Sequence, residues 1–152
     1  MRQLRFRLDS TNKDTQFLRN KIRWELLPHL KRSYNPNIKE ILAGLSTNCV
    51  TDYDFLDRYA RKLMTKLGRR SHRNSIIFEL KRLTSLHPGM QRMLLRLAIE
   101  KLKGNTNRLT HTHMKKIEEL IQSENYQKTV HLPLSLSATK DKKYLSLHLR
   151  KT

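Results

Sequence analysis

Two arginines and an asparagine near the start of the chain have the spacing of a group that binds phosphate or another polyanion. Arg19 and Arg23 are four residues apart, so in a helix they point the same way, with Asn20 on the adjoining turn. Two guanidinium groups and an amide held on a helix suit a phosphate ligand. The alternative is an amphipathic helix whose arginines are merely solvated, and spacing alone favours that interpretation.

The elements that must position these residues are a capping turn and a helix. Residues 9–12 (Asp-Ser-Thr-Asn) have side chains that bond to their own backbone, as in turns and helix N-caps. Apolar residues from Phe17 to Leu27 then recur near three- and four-residue spacing, which predicts an amphipathic helix. Pro28 is expected either to end this helix or to be the first residue of another.

The order of residues in this segment is more specific than its periodicity. Residues 9–30 closely resemble a signature of the tRNA(Ile)-lysidine synthetases. In that signature an Asp, a Ser or Thr plus Asn, an aromatic residue, Arg-Asn, an aliphatic-Arg pair and Leu-Pro recur in this order and spacing. The matching positions in this chain are Asp9, Thr11, Asn12, Phe17, Arg19, Asn20, Ile22, Arg23, Leu27 and Pro28. The similarity is strong over residues 8–45 and continues afterwards as a pattern of helices.

The resemblance implies a reaction for the complete enzyme and roles for several residues. Enzymes of this family use ATP, with Mg, to adenylate the wobble cytidine in the CAU anticodon of tRNA(Ile), and the amine of free lysine then displaces the adenylate. By resemblance, Arg19, Asn20 and Arg23 form one wall of the active site, where they stabilise phosphate charge or position the cytidine. Asp9 and Asn12 are implied to hold this helix in place and to position the substrate.

The family's ATP-binding loop, Ser-Gly-Gly-x-Asp-Ser, does not occur in these 152 residues. We therefore expect this chain alone to bind no ATP and to be inactive as an ATP-dependent ligase. The resemblance implies that the chain begins within the last strand of a PP-loop ATPase domain. The missing PP-loop domain, or a chain that carries it, is accordingly an expected partner.

Composition indicates a polyanionic partner. The 32 Lys and Arg against 13 Asp and Glu give a net charge of +19, which destabilises the compact state unless a polyanion binds. Nucleic acid is the first candidate and an anionic membrane surface the second. No apolar run approaches the roughly 20 residues of a membrane span, and the single Cys49 excludes an internal disulfide. These features predict a soluble cytoplasmic protein that does not associate with membranes.

Apolar periodicity predicts a mainly α fold. It consists of a helical bundle domain preceded by the tail of an α/β nucleotide-binding domain and followed by a short β-hairpin. The expected divisions are residues 1–33 for the incomplete PP-loop ATPase domain, 34–124 for the helical tRNA-binding domain and 125–152 for the hairpin at the start of a C-terminal region. The hairpin is predicted because the apolar period changes to two beyond Asn125.

Three helices are predicted within the helical domain. Asn35-Pro36 is expected to begin a long helix, or two joined helices, that ends at Gly68 and has Cys49 on its buried face. His87-Pro88-Gly89 is expected to open the next helix and Gly104 to end it. Thr110 is expected to cap the last one. His111 and His113 diverge in its first turn because they are two residues apart, so no metal site is predicted.

A basic surface is predicted on the helical domain. Residues 58–73 contain seven Lys and Arg and no acid. A solvated helix end is the alternative interpretation, because cations favour the C-terminal dipole, but the overall charge favours phosphate contacts. The predicted RNA-binding residues are Arg58, Arg61, Lys62, Arg69, Arg70, Arg73, Arg92 and Arg96.

Two functions are therefore carried forward. The first is a part of tRNA(Ile)-lysidine synthetase that supplies tRNA binding and one wall of the active site. Its partners would be tRNA(Ile) with the CAU anticodon and, in the complete enzyme, lysine and ATP. The second is a stand-alone basic helical protein that binds RNA or DNA without catalytic activity.

Overall fold

The computed structural model describes residues 15–72, 74–133 and 135–149. The described residues form a mainly α structure with a small antiparallel sheet, which confirms the predicted fold class. The helices are α1 (Leu18–Lys21), α2 (Leu27–Ser33), α3 (Ile38–Leu67), α4 (Leu80–Thr84), α5 (Pro88–Lys103) and α6 (His111–Gln122). The strands are β1 (Arg69–His72), β2 (Ser75–Glu79), β3 (Lys128–His131), β4 (Leu136–Lys140) and β5 (Tyr144–Leu149). The chain divides into two compact units, one ending at Asp52 and the other beginning at Tyr53.

The first unit contains a helical segment that passes through a proline. A π-helical turn, Ile22–Leu26, connects α1 to α2, and Pro28 lies in the first turn of α2. In a continuous α-helix the proline ring would clash with the carbonyl four residues earlier, here that of Trp24. The Trp24 carbonyl lies in the wider π turn, and π turns often occur where the regular hydrogen bonding of an α-helix is interrupted. Pro28 thus opens a further helix, which was one of its two predicted roles.

Helix α3 is a single long helix, but most of its predicted apolar face is not covered by the described residues. It begins at Ile38 rather than at Pro36, since Asn35 forms a turn in which its Oδ1 accepts from the backbone N–H of Asn37 at 2.8 Å. Within α3, only Ala60 and Met64 are buried. Cys49 is exposed, so its predicted burial was wrong. Periodicity identifies an apolar face but does not show that another element packs on it. The exposed large apolar residues of α3 are Ile41, Leu42, Leu45, Val50, Tyr53, Phe55, Leu56 and Tyr59.

The sheet of the second unit is larger than the predicted hairpin. Its five strands have the order β1-β2-β5-β4-β3, and every pairing is antiparallel. The expected hairpin corresponds to β4 and β5, and Asp141 Oδ1 accepts the backbone N–H groups of Lys143 and Tyr144 in the turn between them. Strands β1 and β2 were not predicted. They join the sheet because β2 pairs with β5, with Phe78 opposite Leu145, and such distant pairings leave no local periodicity to read.

The core of the second unit lies between this sheet and two helices. Helix α5 packs against β2 and β5, and α6 packs against β3 and β4. The predicted ends of α5 are confirmed: His87 Nδ1 accepts from the Gly89 N–H at 3.2 Å, and Gly104 ends the helix with φ +87°. Fully buried residues of this core include Phe78, Leu83, Leu94, Leu95, Ile99, Ile117, Leu120, Leu145 and Leu147.

Candidate nucleic-acid interface

The three residues predicted to line an active site are divided between solvent and interior. Arg19 and Arg23 are exposed, and the Arg19 guanidinium lies 5.7 Å from the centre of the Phe17 ring. Asn20 is only 2% exposed. A buried amide is normally hydrogen-bonded, so this arrangement suits arginines that meet a ligand and an asparagine that fixes their helix. Asp9 and Asn12, the predicted positioning residues, lie outside the described residues.

Three elements of the second unit carry exposed cations. Arg58 and Lys62 lie on the last turns of α3, Arg69 and Arg70 on β1, and Arg96 on α5, and all five are exposed. Arg92, also on α5, is exposed as well, whereas Arg73 lies outside the described residues.

One further cation joins this group. Arg70 and Lys101 line the same cavity of about 330 Å³, together with Met64, Gly68 and Ile76. Lys101 was not predicted as a site residue, because its proximity to Arg70 depends on how α5 packs beside the strands. Its position on α5 gave no signal beyond its charge.

Three of the predicted RNA-binding arginines form ion pairs. Arg58 Nε lies 2.8 Å from Asp54, and Arg61 Nε lies 2.6 Å from Asp57, in each case one helical turn earlier. Arg92 pairs with Glu118 across from α5 to α6. The absence of acids between residues 58 and 73 therefore overstated the local positive charge. The pairs within α3 could have been found from their four-residue spacing, whereas the pair between α5 and α6 had no sequence signal.

Arg61 has the most acidic surroundings of these arginines. Its guanidinium also lies 3.8 Å from Glu100 on α5. The hydrogen bond to Asp57 raises the pKa of Arg61 above its ordinary value, and the charges of Asp57 and Glu100 add to this effect against the opposing effect of burial. Arg61 therefore remains a cation, but one whose charge is largely balanced. Within the described parts of the chain, Lys62, Arg69 and Arg96 have no ion-pair partner.

A cavity of about 380 Å³ lies beside this basic surface. It is formed by the second half of α3, by α5 and by the loop that follows α5. Arg96 lines this cavity and also a smaller one of about 190 Å³ between α5 and α6. The residues that line the larger cavity are Tyr53, Asp57, Arg61, Met93, Arg96, Leu97, Glu100, Gly104, Asn105, Thr106 and Asn107.

The two histidines of the first turn of α6 have separate environments. His113 Nδ1 accepts from the backbone N–H of Thr110 at 3.1 Å, so His113 and Thr110 form a capping box at the start of the helix. His111 lines the smaller cavity. Across residues 15–72, 74–133 and 135–149, no group of three or more His, Cys, Asp or Glu side chains has an arrangement that would hold a metal ion. None of the helices in those ranges has the length and apolarity needed to cross a bilayer.

Comparison with known proteins relates the chain to one group of enzymes. Residues 78–138 match the TilS substrate binding domain. The chain is 33% identical over 139 residues to the tRNA(Ile)-lysidine synthase of Geobacter sulfurreducens, which covers 91% of the chain and 29% of that protein. It is 27% identical over 130 residues to that of Clostridioides difficile, covering 86% of the chain and 28% of the relative. The chain thus spans less than a third of the length of these relatives.

Proposed function

Because this chain is related to the tRNA(Ile)-lysidine synthases, we propose that it supplies the tRNA-binding part and one wall of the active site of such an enzyme. The complete enzyme is an ATP-dependent ligase that joins lysine to the wobble cytidine of the CAU anticodon of tRNA(Ile), in the cytoplasm. The relatives named above are tRNA(Ile)-lysidine synthases over a matched region that includes nearly the whole chain. The signature at residues 9–30 supports the same assignment.

The observation that carries this proposal is the overlap between the family match and the exposed cations. Helix α5, with Arg96 and Lys101, lies inside the region that matches the substrate binding domain. Arg70 and Lys101 line one cavity, so β1 lies beside the same helix. Cations on a surface of this kind bind phosphate backbones without reading sequence. We propose that Lys62, Arg69, Arg96 and Lys101 make the main phosphate contacts, with Arg58, Arg61, Arg70, Arg73 and Arg92 around them.

The first helical segment is proposed to face the catalytic domain. Arg19 and Arg23 would meet phosphate or cytidine there, with ATP and Mg held by the PP-loop domain. Leu18, Ile22 and Leu26 line an apolar cavity of about 480 Å³ on this segment. Burial of such side chains contributes about 25 cal/mol per Å², which favours their coverage by another domain. Without the Ser-Gly-Gly-x-Asp-Ser loop, this chain alone is proposed to be inactive.

The proposal is tested by measuring binding of the chain to tRNA with a CAU anticodon and to an anticodon-substituted control, each at two salt concentrations. We expect charge reversal at Lys62→Glu or Arg69→Glu to weaken binding and to lower the salt slope by about one for each phosphate that the variant no longer neutralises. Lys39→Glu, at an exposed position of α3 in the first unit, is the matched control for the change in net charge. We expect it to leave the salt slope nearly unchanged.

The two salt series test whether this chain itself reads tRNA identity. A preference for the CAU-bearing tRNA that persists at the higher salt supports a domain of lysidine synthase that reads tRNA identity. Equal affinities with a steep salt slope mean backbone-driven binding, which leaves specificity to the absent PP-loop domain or to the stand-alone RNA- or DNA-binding protein, an alternative that the comparisons do not favour. Equal losses of affinity in all three variants would show that net charge, and not this surface, determines binding.

A further inference from the structure

The cavity of about 380 Å³ differs from the surrounding surface in its charge. The chain carries +19 overall, yet the cavity is lined by two arginines, Arg61 and Arg96, and by two carboxylates, Asp57 and Glu100. Its ionic lining is therefore balanced. A cavity built only to hold phosphate would keep its cations unpaired, so this lining points to a ligand that is neutral where it enters the cavity.

The cavity has both apolar and aromatic lining residues. Met93 and Leu97 of α5 are buried and line it. Tyr53 of α3 lines it while remaining 52% exposed. An exposed aromatic ring and buried apolar side chains in one cavity offer a flat ligand a face to stack on and an apolar surface to contact.

The loop after α5 is held in shape by its own polar groups. Asn105 Oδ1 accepts from the Asn107 N–H and from Lys103 Nζ, each at 3.0 Å, and Lys103 Nζ also donates to the Asn107 carbonyl at 3.0 Å. These bonds occupy the oxygen of the Asn105 amide and leave its nitrogen as a donor. Beside it, the carboxylates of Asp57 and Glu100 retain capacity to accept. The lining of the cavity thus presents both donors and acceptors.

A flat neutral ring with donors and acceptors on its edge is the chemistry of a nucleobase. We infer that this cavity takes an unpaired nucleobase of the bound RNA, stacked on Tyr53 and hydrogen-bonded along its edge by Asn105, Asp57 and Glu100. Arg96, which lines the cavity, is exposed and has no ion-pair partner among the described residues, is available for the phosphate of that nucleotide. Unpaired bases stacked on aromatic side chains are the usual target of sequence-specific RNA recognition. The inference rests on the proposed function and adds base recognition to it.

The test uses the whole chain and two RNA hairpins of the same stem, one with a blunt end and one with a single-stranded 3′ extension of four nucleotides. Binding is measured by fluorescence polarisation. We expect the extended hairpin to bind at least about fivefold more tightly, the lower bound for stacking one base on an aromatic ring. Tyr53→Ala should abolish this advantage without weakening binding to the blunt hairpin, and Tyr53→Phe should keep it.

Tyr59→Ala is the matched control. Tyr59 lies on the same helix, is 50% exposed and does not line the cavity, so the advantage should persist in that variant. Equal binding of the two hairpins by the unmodified chain would overturn the inference and leave the proposed function standing. Equal loss of the advantage in Tyr53→Ala and Tyr59→Ala would overturn it as well.

The source of the base is tested by competition. Nucleoside 5′-monophosphates are added to the complex with the extended hairpin. Each is expected to compete at least about a hundredfold less well than the unlabelled extended hairpin, because a mononucleotide lacks the other phosphate contacts of the RNA. Competition at similar concentrations would overturn the assignment to RNA and make a free nucleotide the occupant. If the blunt hairpin is not bound even at low salt, the proposed function fails. In that case the inference about the cavity is tested separately with a single-stranded tetranucleotide. Binding that Tyr53→Ala abolishes supports the inference, and no binding overturns it.

Discussion

At the residue scale, Lys140 shows that not every basic residue of this chain is available to a polyanion. It lies on β4 and is only 5% exposed. Its Nζ donates to the Ile121 carbonyl at 2.8 Å and to the Ser123 carbonyl, and it lies 5.6 Å from the centre of the Tyr126 ring. The last carbonyls of a helix have no partner within that helix, and a cation placed there also meets the negative end of its dipole. Lys140 therefore ties the end of α6 to the sheet.

We predict that Lys140→Met lowers the free energy of unfolding by about 1–3 kcal/mol, because the variant cannot form the charge-assisted hydrogen bonds to two carbonyls. Urea denaturation followed by circular dichroism measures the change. Lys142→Met removes an exposed cation from the neighbouring turn and should alter stability by less than about 0.5 kcal/mol. Equal stabilities of the two variants would mean that Lys140 does not hold α6 in solution.

At the element scale, two glycines have opposite relations to their helices. Gly44 lies inside α3, and a Cβ added there would meet nothing within 4 Å. Gly104 ends α5 with φ +87°, a conformation that side chains disfavour even where there is space for them. The first glycine weakens its helix and the second is required at its position.

We predict changes of opposite sign when each glycine is replaced. Gly44→Ala should stabilise the helical state by about 0.5–1 kcal/mol through helix propensity, whereas Gly104→Ala should destabilise it by about 1–2 kcal/mol. Urea midpoints measured on the two variants under one set of conditions give both values. A decrease in stability in Gly44→Ala would show that its side of α3 is covered in solution.

At the scale of the whole molecule, the first unit exposes several large apolar side chains, and exposed apolar surface of this kind marks interaction sites. They include Phe17, Leu18, Trp24 and Leu26. The matched relatives are more than three times as long as the matched part of the chain. We attribute the exposed face to the proposed contact with a PP-loop domain.

Trp24, the single tryptophan, reports directly on that contact. It is 52% exposed, so we predict that acrylamide quenches its fluorescence readily in the chain alone. Adding the separately produced PP-loop domain of a relative should shift the emission to shorter wavelength and protect it from quenching. Leu18→Glu, at an exposed apolar position of the same helical segment, should weaken this effect, while Val50→Glu, an exposed position on α3, should not. Emission that does not respond to the added domain would contradict the proposed contact.

Local sequence was enough to predict the longer helices of this protein and its relation to one family of enzymes. The ends of α5 could be predicted because His87, Pro88 and Gly104 act on the backbone within one turn. The family resemblance, confirmed by the comparisons, rested on an ordered set of residues within one short segment. The ion pairs of Arg58 and Arg61 were equally readable, since a helix places residues four apart together.

Only the tertiary structure decided which apolar faces are covered and which charges are balanced. Strand β2 joins β5, Glu100 approaches Arg61, and Glu118 pairs with Arg92, and each contact links segments far apart in the chain. Periodicity placed Cys49 on an apolar face, but no element among the described residues buries it. The cavity beside Tyr53 likewise forms only where α3, α5 and a loop converge. A local sequence pattern predicts the conformation of one element. The burial of an apolar face and the pairing of a charge depend on a second element, whose position the local pattern does not encode.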